Sequence, residues 1–316
     1  MTRELLILRH GKAQPGRGAK DRDRELKDKG KRDIQRIGVW LQENERLPDA
    51  ILASPAERAW STAQKSLKAG GAGTEGLSKE ERLYDASLKD LKSLLAKASN
   101  GTERLMLVGH NPGLKQLAAY LTGSGELLSK GMLLRIGLPD DWGKLKKGCG
   151  QLLDRVDPGD LPRLFPFPGP GSSEMRDRPS YYYTQSSVIP YRLHEGAVEI
   201  LVIQSSKQHH SVVPKGIKEP GLTPQASAAK EAWEEAGVEG YVEDAPLGAY
   251  GYEKWGANCT CTVYAMAVRR VVPEAEWKES HRGRVWMPPE EAAARLKQKE
   301  LGPLVMALAE RLRQTS

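Results

Sequence analysis

The sequence predicts an α/β protein in two parts, on three observations. In residues 1–164 short apolar runs alternate with helical patterns and each run ends in a polar signature, the sequence form of a mostly parallel sheet covered by helices on both faces. Residues 165–182 hold Pro166, Pro168, Gly169, Pro170 and Gly171 followed by polar residues; such a run continues neither a helix nor a central strand and reads as an interdomain linker. Residues 183–316 return to strand patterns around one acidic helix, as in a small mixed sheet with helices packed across it. A chain of 316 residues is long for one hydrophobic core, which agrees with two domains able to fold separately.

In the first part, residues 5–8 lead into Arg9-His10-Gly11, residues 50–53 into Ser54-Pro55 with Arg58 beyond, and residues 104–108 into Gly109-His110-Asn111-Pro112. Helical patterns fill residues 31–43, 56–68, 88–98 and 114–121. Residues 132–138 form a last strand pattern, and turn signals at 140–142 and 148–150 precede a short closing pairing. Ligands of parallel sheets bind beyond the carboxyl ends of the strands, where Arg9, His10, Arg58 and His110 would gather. A deprotonated imidazole can attack phosphorus, and guanidinium forks match the oxygens of a transferring phosphoryl group.

In the second part, residues 186–193 and 198–203 read as a strand pair and residues 259–269 as another strand. Between them Thr223 is an N-cap, Pro224 a first helical residue and Gly237 a terminator, so a helix is predicted over 224–236. Its spacing places Glu231, Glu234 and Glu235 on one face and Ala229 and Trp233 on the opposite one. Three carboxylates together suit a hard divalent cation that bridges to phosphate oxygens. Residues 248–256, around Trp255, read as an aromatic surface turn, and residues 289–313 as two structural helices.

The net charge of +7 is uneven: residues 1–165 carry 30 Lys and Arg against 22 Asp and Glu, residues 166–316 only 18 against 19. No aromatic interleaving or nucleic-acid motif accompanies the basic half, so anionic small molecules are the expected partners, with no stable nucleic-acid complex. No run of 18 apolar residues suggests a membrane span, and the opening apolar run reads as a strand rather than a leader. Three sparse cysteines, Cys149, Cys259 and Cys261, lack zinc-site spacing and suit a reducing cytoplasm.

The segment Val213 to Val238 resembles the Nudix hydrolase signature: Gly216, Glu231, Ala232, Glu234, Glu235, Gly237 and Val238 fall in register. Two positions depart, Leu222 standing where the family has Glu and Lys230 where it has Arg. The resemblance implies an α/β/α sandwich with a mixed sheet, Mg²⁺ or Mn²⁺ on Glu231, Glu234 and Glu235, and a catalytic role for Glu235. The two departures read as a Glu–Arg pair lost as a unit, since Lys lacks the planar fork of Arg. Residues 277–286 are similar to part of the diphosphoinositol polyphosphate phosphohydrolases within that family, which makes Lys207, Lys215, Arg282 and Arg284 candidates for gripping phosphate.

The three polar signatures of the first part resemble the histidine phosphatase superfamily, in particular its short branch related to the phosphohistidine phosphatase SixA. That likeness implies a three-layer α/β/α domain without cofactor, phosphorylation of His10, and a phosphate pocket of Arg9, Arg58 and His110. Asp21 and Arg24 match the branch's Asp-x-x-Arg-x-Leu segment; Asp21, Glu80, Glu81 and His110 are the proton-donor candidates, beside a shallow, open pocket. Together the resemblances imply a bifunctional phosphohydrolase, cutting a phosphoanhydride in the second half and a phosphomonoester in the first, with a nucleotide as the expected substrate. The alternatives are a nucleotide-sensing protein with an inactive Nudix fold, and a phosphohistidine protein phosphatase with an accessory one.

Overall fold

A computed structural model describes residues 3–16 and 20–315, in two compact units, Met1–Pro179 and Ser180–Ser316. In the first, β1 (Arg3–Arg9), α1 (Asp28–Glu43), β2 (Ala50–Ala53), α2 (Glu57–Ala69), β3 (Leu77–Lys79), α3 (Leu88–Leu95), β4 (Arg104–Gly109), α4 (Gly113–Thr122), β5 (Leu133–Leu138) and β6 (Gln151–Val156) follow in order. The sheet runs β3-β2-β4-β1-β5-β6, with the first four strands parallel and the last two antiparallel.

Strand β1 explains why both faces are covered. Its alternate residues point to opposite sides: Leu5 and Ile7 join the core under α3 and α4, while Leu6 and Leu8 join the one under α1 and α2. All four are fully buried, which is why the run reads as continuously apolar. Helix α3 stops three residues earlier than its pattern predicts but begins as expected, behind a capping box in which Ser87 and Asp90 satisfy each other's backbone N–H groups.

The segment predicted as a linker is partly structured. Strands β7 (Phe165–Phe167) and β8 (Glu174–Arg176) pair antiparallel, Phe165 is 1% exposed, and the unit boundary falls at Pro179, inside the segment 165–182. Proline bars a strand from a sheet's interior but not from an edge, and β7 pairs on one side only.

The second unit contains β9 (Thr184–His194), β10 (Ala197–Gln204), β11 (Ser211–Val212), β12 (Lys215–Ile217), α5 (Pro224–Glu231), β13 (Val238–Lys254), β14 (Ala257–Val271), β15 (Arg284–Met287), α6 (Pro289–Arg295) and α7 (Leu301–Thr315). The sheet runs β11-β10-β9-β14-β13, with β12 on β9 and β15 on β10; β9 and β14 are parallel and the other pairs antiparallel. One face packs on α5 through Val188, Leu201 and Ile203, the other on α6 and α7 through Ile189, Ile200 and Val202. The result is a mixed-sheet α/β/α sandwich.

Two expectations are corrected here. Residues 248–254 belong to β13, and only Trp255 and Gly256, at φ 54° and 74°, make the turn into β14. The predicted helix 224–236 is α-helical to Glu231 and closes in a π-helical turn, Ala232–Ala236, before Gly237 at φ 60°. Its buried stripe is Ala228, Ala232 and Ala236; Trp233 is 42% exposed, because the close approach to the sheet admits methyl groups and not an indole.

Candidate active sites

In the first unit Arg9 and His10 lie at the end of β1, Ser54 just past β2 and His110 just past β4, all at carboxyl ends of parallel strands. His10 and His110 are buried with ring centroids 5.0 Å apart. Nδ1 of His10 is 2.8 Å from the carbonyl of Gly11, which can only accept, so Nδ1 carries the proton and Nε2 keeps its lone pair. Thr62 fixes that carbonyl's residue: its hydroxyl accepts from the Gly11 N–H at 3.0 Å and donates to Arg58 O.

His110 has the opposite tautomer. Arg58 can only donate, so its 3.4 Å contact makes Nδ1 of His110 the acceptor and leaves Nε2–H to donate to Ser54 Oγ at 2.9 Å. Burial, reinforced for each ring by nearby Arg charges, lowers His10 from 6.5 to about 3 and His110 to about 4. Both rings are therefore neutral at physiological pH.

Arg58 donates to the main-chain carbonyl of Asp21 at 2.5 Å and to its carboxylate at 2.7 Å; Arg24 and the Tyr84 hydroxyl donate to the same carboxylate at 2.8 and 2.9 Å. The Arg24 bond foremost, then those of Tyr84 and Arg58, hold the Asp21 carboxyl far below its ordinary range. Asp21 is thus an ionised clamp and not a proton donor. Arg9 donates to Leu128 O at 3.1 Å, and both Arg9 and Arg58 keep a buried Nε–H with no partner among the described residues, a deficit that an anion can relieve.

Glu80 and Glu81 do not reach the histidines. Glu80 caps a short 3-10 turn and is gripped by Arg82 at 2.9 and 3.0 Å, which lowers its carboxyl, while Glu81 is exposed and paired with Arg22 at 3.1 Å. The residue that sequence reasoning missed is Asp85. It is exposed, adopts φ 51°, and lies near enough to His110 for its charge to oppose the lowering of that imidazole.

In the second unit Glu235 alone of the three glutamates lines a cleft of about 630 Å³, with Lys215, Tyr252, Lys254, Arg282 and Lys297 among others. Glu235 accepts from the Lys215 N–H at 3.1 Å and pairs with Arg282 at 2.7 Å. Lys215 Nζ donates to Tyr252 OH at 2.9 Å and Gln185 Oε1 at 3.1 Å, and burial lowers its pKa. Glu231 packs against Gly216 so closely that a Cβ there would stand 2.0 Å from Oε1 of Glu231, which explains the glycine. Burial, then the charges of Glu235 and Glu234, push the Glu231 carboxyl up to about 7; burial also raises Glu235.

The three glutamates are not gathered at one point: Glu234 pairs with Lys278 at 2.9 Å, and among the described residues no three His, Cys, Asp or Glu stand close enough to hold an ion. Of the proposed phosphate-gripping residues, Lys215 and Arg282 line the cleft. Arg284 does not serve this way, since it donates to the carbonyls of Ala236, Gly237 and Val272. Lys207 is exposed on the loop that follows β10, outside the cleft lining. Where the Glu–Arg pair reads as lost, Lys230 Nζ lies 2.7 Å from Oε1 of Glu219, three residues before Leu222. Only the loop's path shows this.

Comparison with known proteins gives a family match in each part of the chain. The family model for the NUDIX domain matches residues 184–308, and that for the histidine phosphatase superfamily (branch 1) matches residues 5–106. The chain is 30% identical over 140 residues to "Nudix hydrolase 12, mitochondrial" of Arabidopsis thaliana, covering 37% of this chain and 69% of that protein. It is 37% identical over 115 residues to "Nudix hydrolase 18, mitochondrial" of the same plant, covering 33% and 63%. A solved structure of the protein histidine phosphatase SixA complexed with tungstate is similar at 21% identity and a TM-score of 0.43, over 49% of this chain and 97% of that one. Among the described residues no helix is long and apolar enough to cross a membrane.

Proposed function

The chain belongs to the Nudix hydrolases and carries a histidine phosphatase domain ahead of its Nudix domain, both from families that hydrolyse phosphate esters or anhydrides, and from this we propose a bifunctional phosphohydrolase. The first half removes a phosphomonoester through phospho-His10, and the second cleaves a phosphoanhydride with a divalent cation.

The observation that carries the first reaction is the tautomer of His10, whose Nε2 is left unprotonated beside Arg58 and His110. Nε2 attacks phosphorus, the P–N bond forms as the P–O bond breaks, and the leaving alkoxide takes a proton; water then attacks phospho-His10, releasing phosphate and restoring the imidazole. Asp85, whose charge acts on His110, is the acidic side chain we place beside the leaving oxygen, since Asp21 and Glu80 are each engaged by arginines.

For the second reaction the donor set fits Mg²⁺ or Mn²⁺: the oxygens are hard, and burial with the charges of Glu235 and Glu234 raises the Glu231 carboxyl against the opposing charge of Lys230, a strain that a cation would relieve. Glu231 and Glu235 would hold the cation, joined by Glu234 on leaving Lys278. When bound it would polarise a phosphoryl oxygen and lower the pKa of water. Lys215, Lys254 and Lys297 give the cleft a cationic lining suited to a phosphate-rich substrate such as a nucleoside polyphosphate.

The test uses single variants of the whole chain. His10→Ala is expected to lower phosphomonoesterase kcat/KM by at least about 10³-fold and spare the anhydride reaction, while Glu235→Gln lowers the latter at least about tenfold and spares the former. Acid-labile phosphate on quenched wild-type protein, absent from His10→Ala, is expected by intact mass. Turnover without that adduct overturns the first assignment, and full anhydride activity in Glu235→Gln overturns the second in favour of a nucleotide-binding module.

A further inference from the structure

We propose that Glu219 is the relocated acid of this Nudix site, positioning Lys230 and the loop that backs Glu231 in place of the glutamate absent at 222. The inference rests on the metal-binding reading of the second domain and adds a residue to it.

Two contacts tie the loop to the helix at the same point. The Glu219 side chain accepts from Lys230 at 2.7 Å, and the Glu219 N–H donates to the hydroxyl of Ser227 at 3.0 Å. Ser227 and Lys230 are three apart in α5 and so lie on one helix face. Ser227 is 1% exposed, which fixes its end of the tie. Between Lys215 and Glu219 runs Gly216, whose open side is filled by the Glu231 carboxylate. Moving Glu219 therefore moves the wall against which Glu231 rests.

The lysine makes the relocation workable. An arginine fork demands a carboxylate in its plane at two points, whereas an ammonium accepts a partner from any side. An acid displaced by three residues approaches from a new direction, and Lys230 follows it. Both side chains are partly exposed, at 39% and 20%, so the pair contributes little to global stability. Its work is positional.

The experiment uses the full chain as wild type, Glu219→Gln, Leu222→Glu and the double variant. Mn²⁺ affinity is measured by calorimetry, amide exchange over residues 215–222 by mass spectrometry, and melting without metal by calorimetry. Glu219→Gln is expected to weaken Mn²⁺ binding roughly tenfold and to speed exchange of the loop at least about fivefold, with melting little changed. Leu222→Glu is expected to do nothing in the wild type and to restore both quantities in Glu219→Gln. Unchanged loop exchange in Glu219→Gln, or a double variant no better than the single, overturns the proposal. Wild type that binds no Mn²⁺ overturns the metal reading itself, while loop exchange still decides whether Glu219 orders the site.

Discussion

The two histidines of the first site titrate in a direction that can be measured. Their folded pKa values, about 3 and about 4, lie below the ordinary 6.5, so between these limits the unfolded chain binds more protons than the folded one. Their stabilising contribution is complete above pH 6.5 and drains away as pH falls toward about 3. Urea midpoints are expected to drop over that window, and less steeply in His10→Gln and His110→Gln; equal slopes would show rings that titrate normally. Asp85→Asn is expected to slow alkyl phosphates at least about tenfold while nearly sparing p-nitrophenyl phosphate, whose leaving group needs no proton. Equal losses on both substrates would remove Asp85 from the donor role. The chemistry-bearing residues were legible in the sequence because their identities alone suit them to phosphate. Asp85 and Glu219 were not, since one is singled out by a left-handed φ and the other by which way a loop turns.

At the scale of elements, Phe165 decides where the first domain ends. With Pro166 and Met175 it lines a groove of about 230 Å³ shared with Val39 and Trp40 of α1, so a chain cut at 164 loses a buried ring and exposes that helix. Removing a buried Phe side chain costs about 3–5 kcal/mol. Residues 1–179 are expected to unfold cooperatively in urea, and residues 1–164 to be less stable by at least about 3 kcal/mol or not to fold; matching midpoints would restore the linker reading. Strongly periodic elements such as α1 and β1 were legible because one face, or both, is apolar throughout. Strand β13 was hidden by Gly240, Pro246, Gly248 and Gly251, and its register shifts near Gly240, Pro246 and Gly248 show that the pairing bends where the pattern breaks. The hairpin β7–β8 was hidden by its prolines, which exclude a central strand and say nothing against an edge.

For the whole molecule, two units with separate hydrophobic cores allow each half to change without the other. The surplus of basic residues sits wholly in the first half, where Arg9 and Arg58 face the histidines, yet the cleft of the second is lined by Lys215, Lys254 and Lys297 all the same, so net charge alone does not point to both sites. The π turn that closes α5 carries this furthest. Such a turn is what a one-residue insertion leaves in an α-helix, and it tends to be kept where function depends on it. The approach of Glu235 to the Lys215 N–H and to Arg282 is thus set by a count of residues as much as by their kinds. Loss of the codon for Ala232 or Trp233 would leave every charged side chain in the gene and still carry the carboxylate away from its partners, an error that no inventory of site residues would reveal.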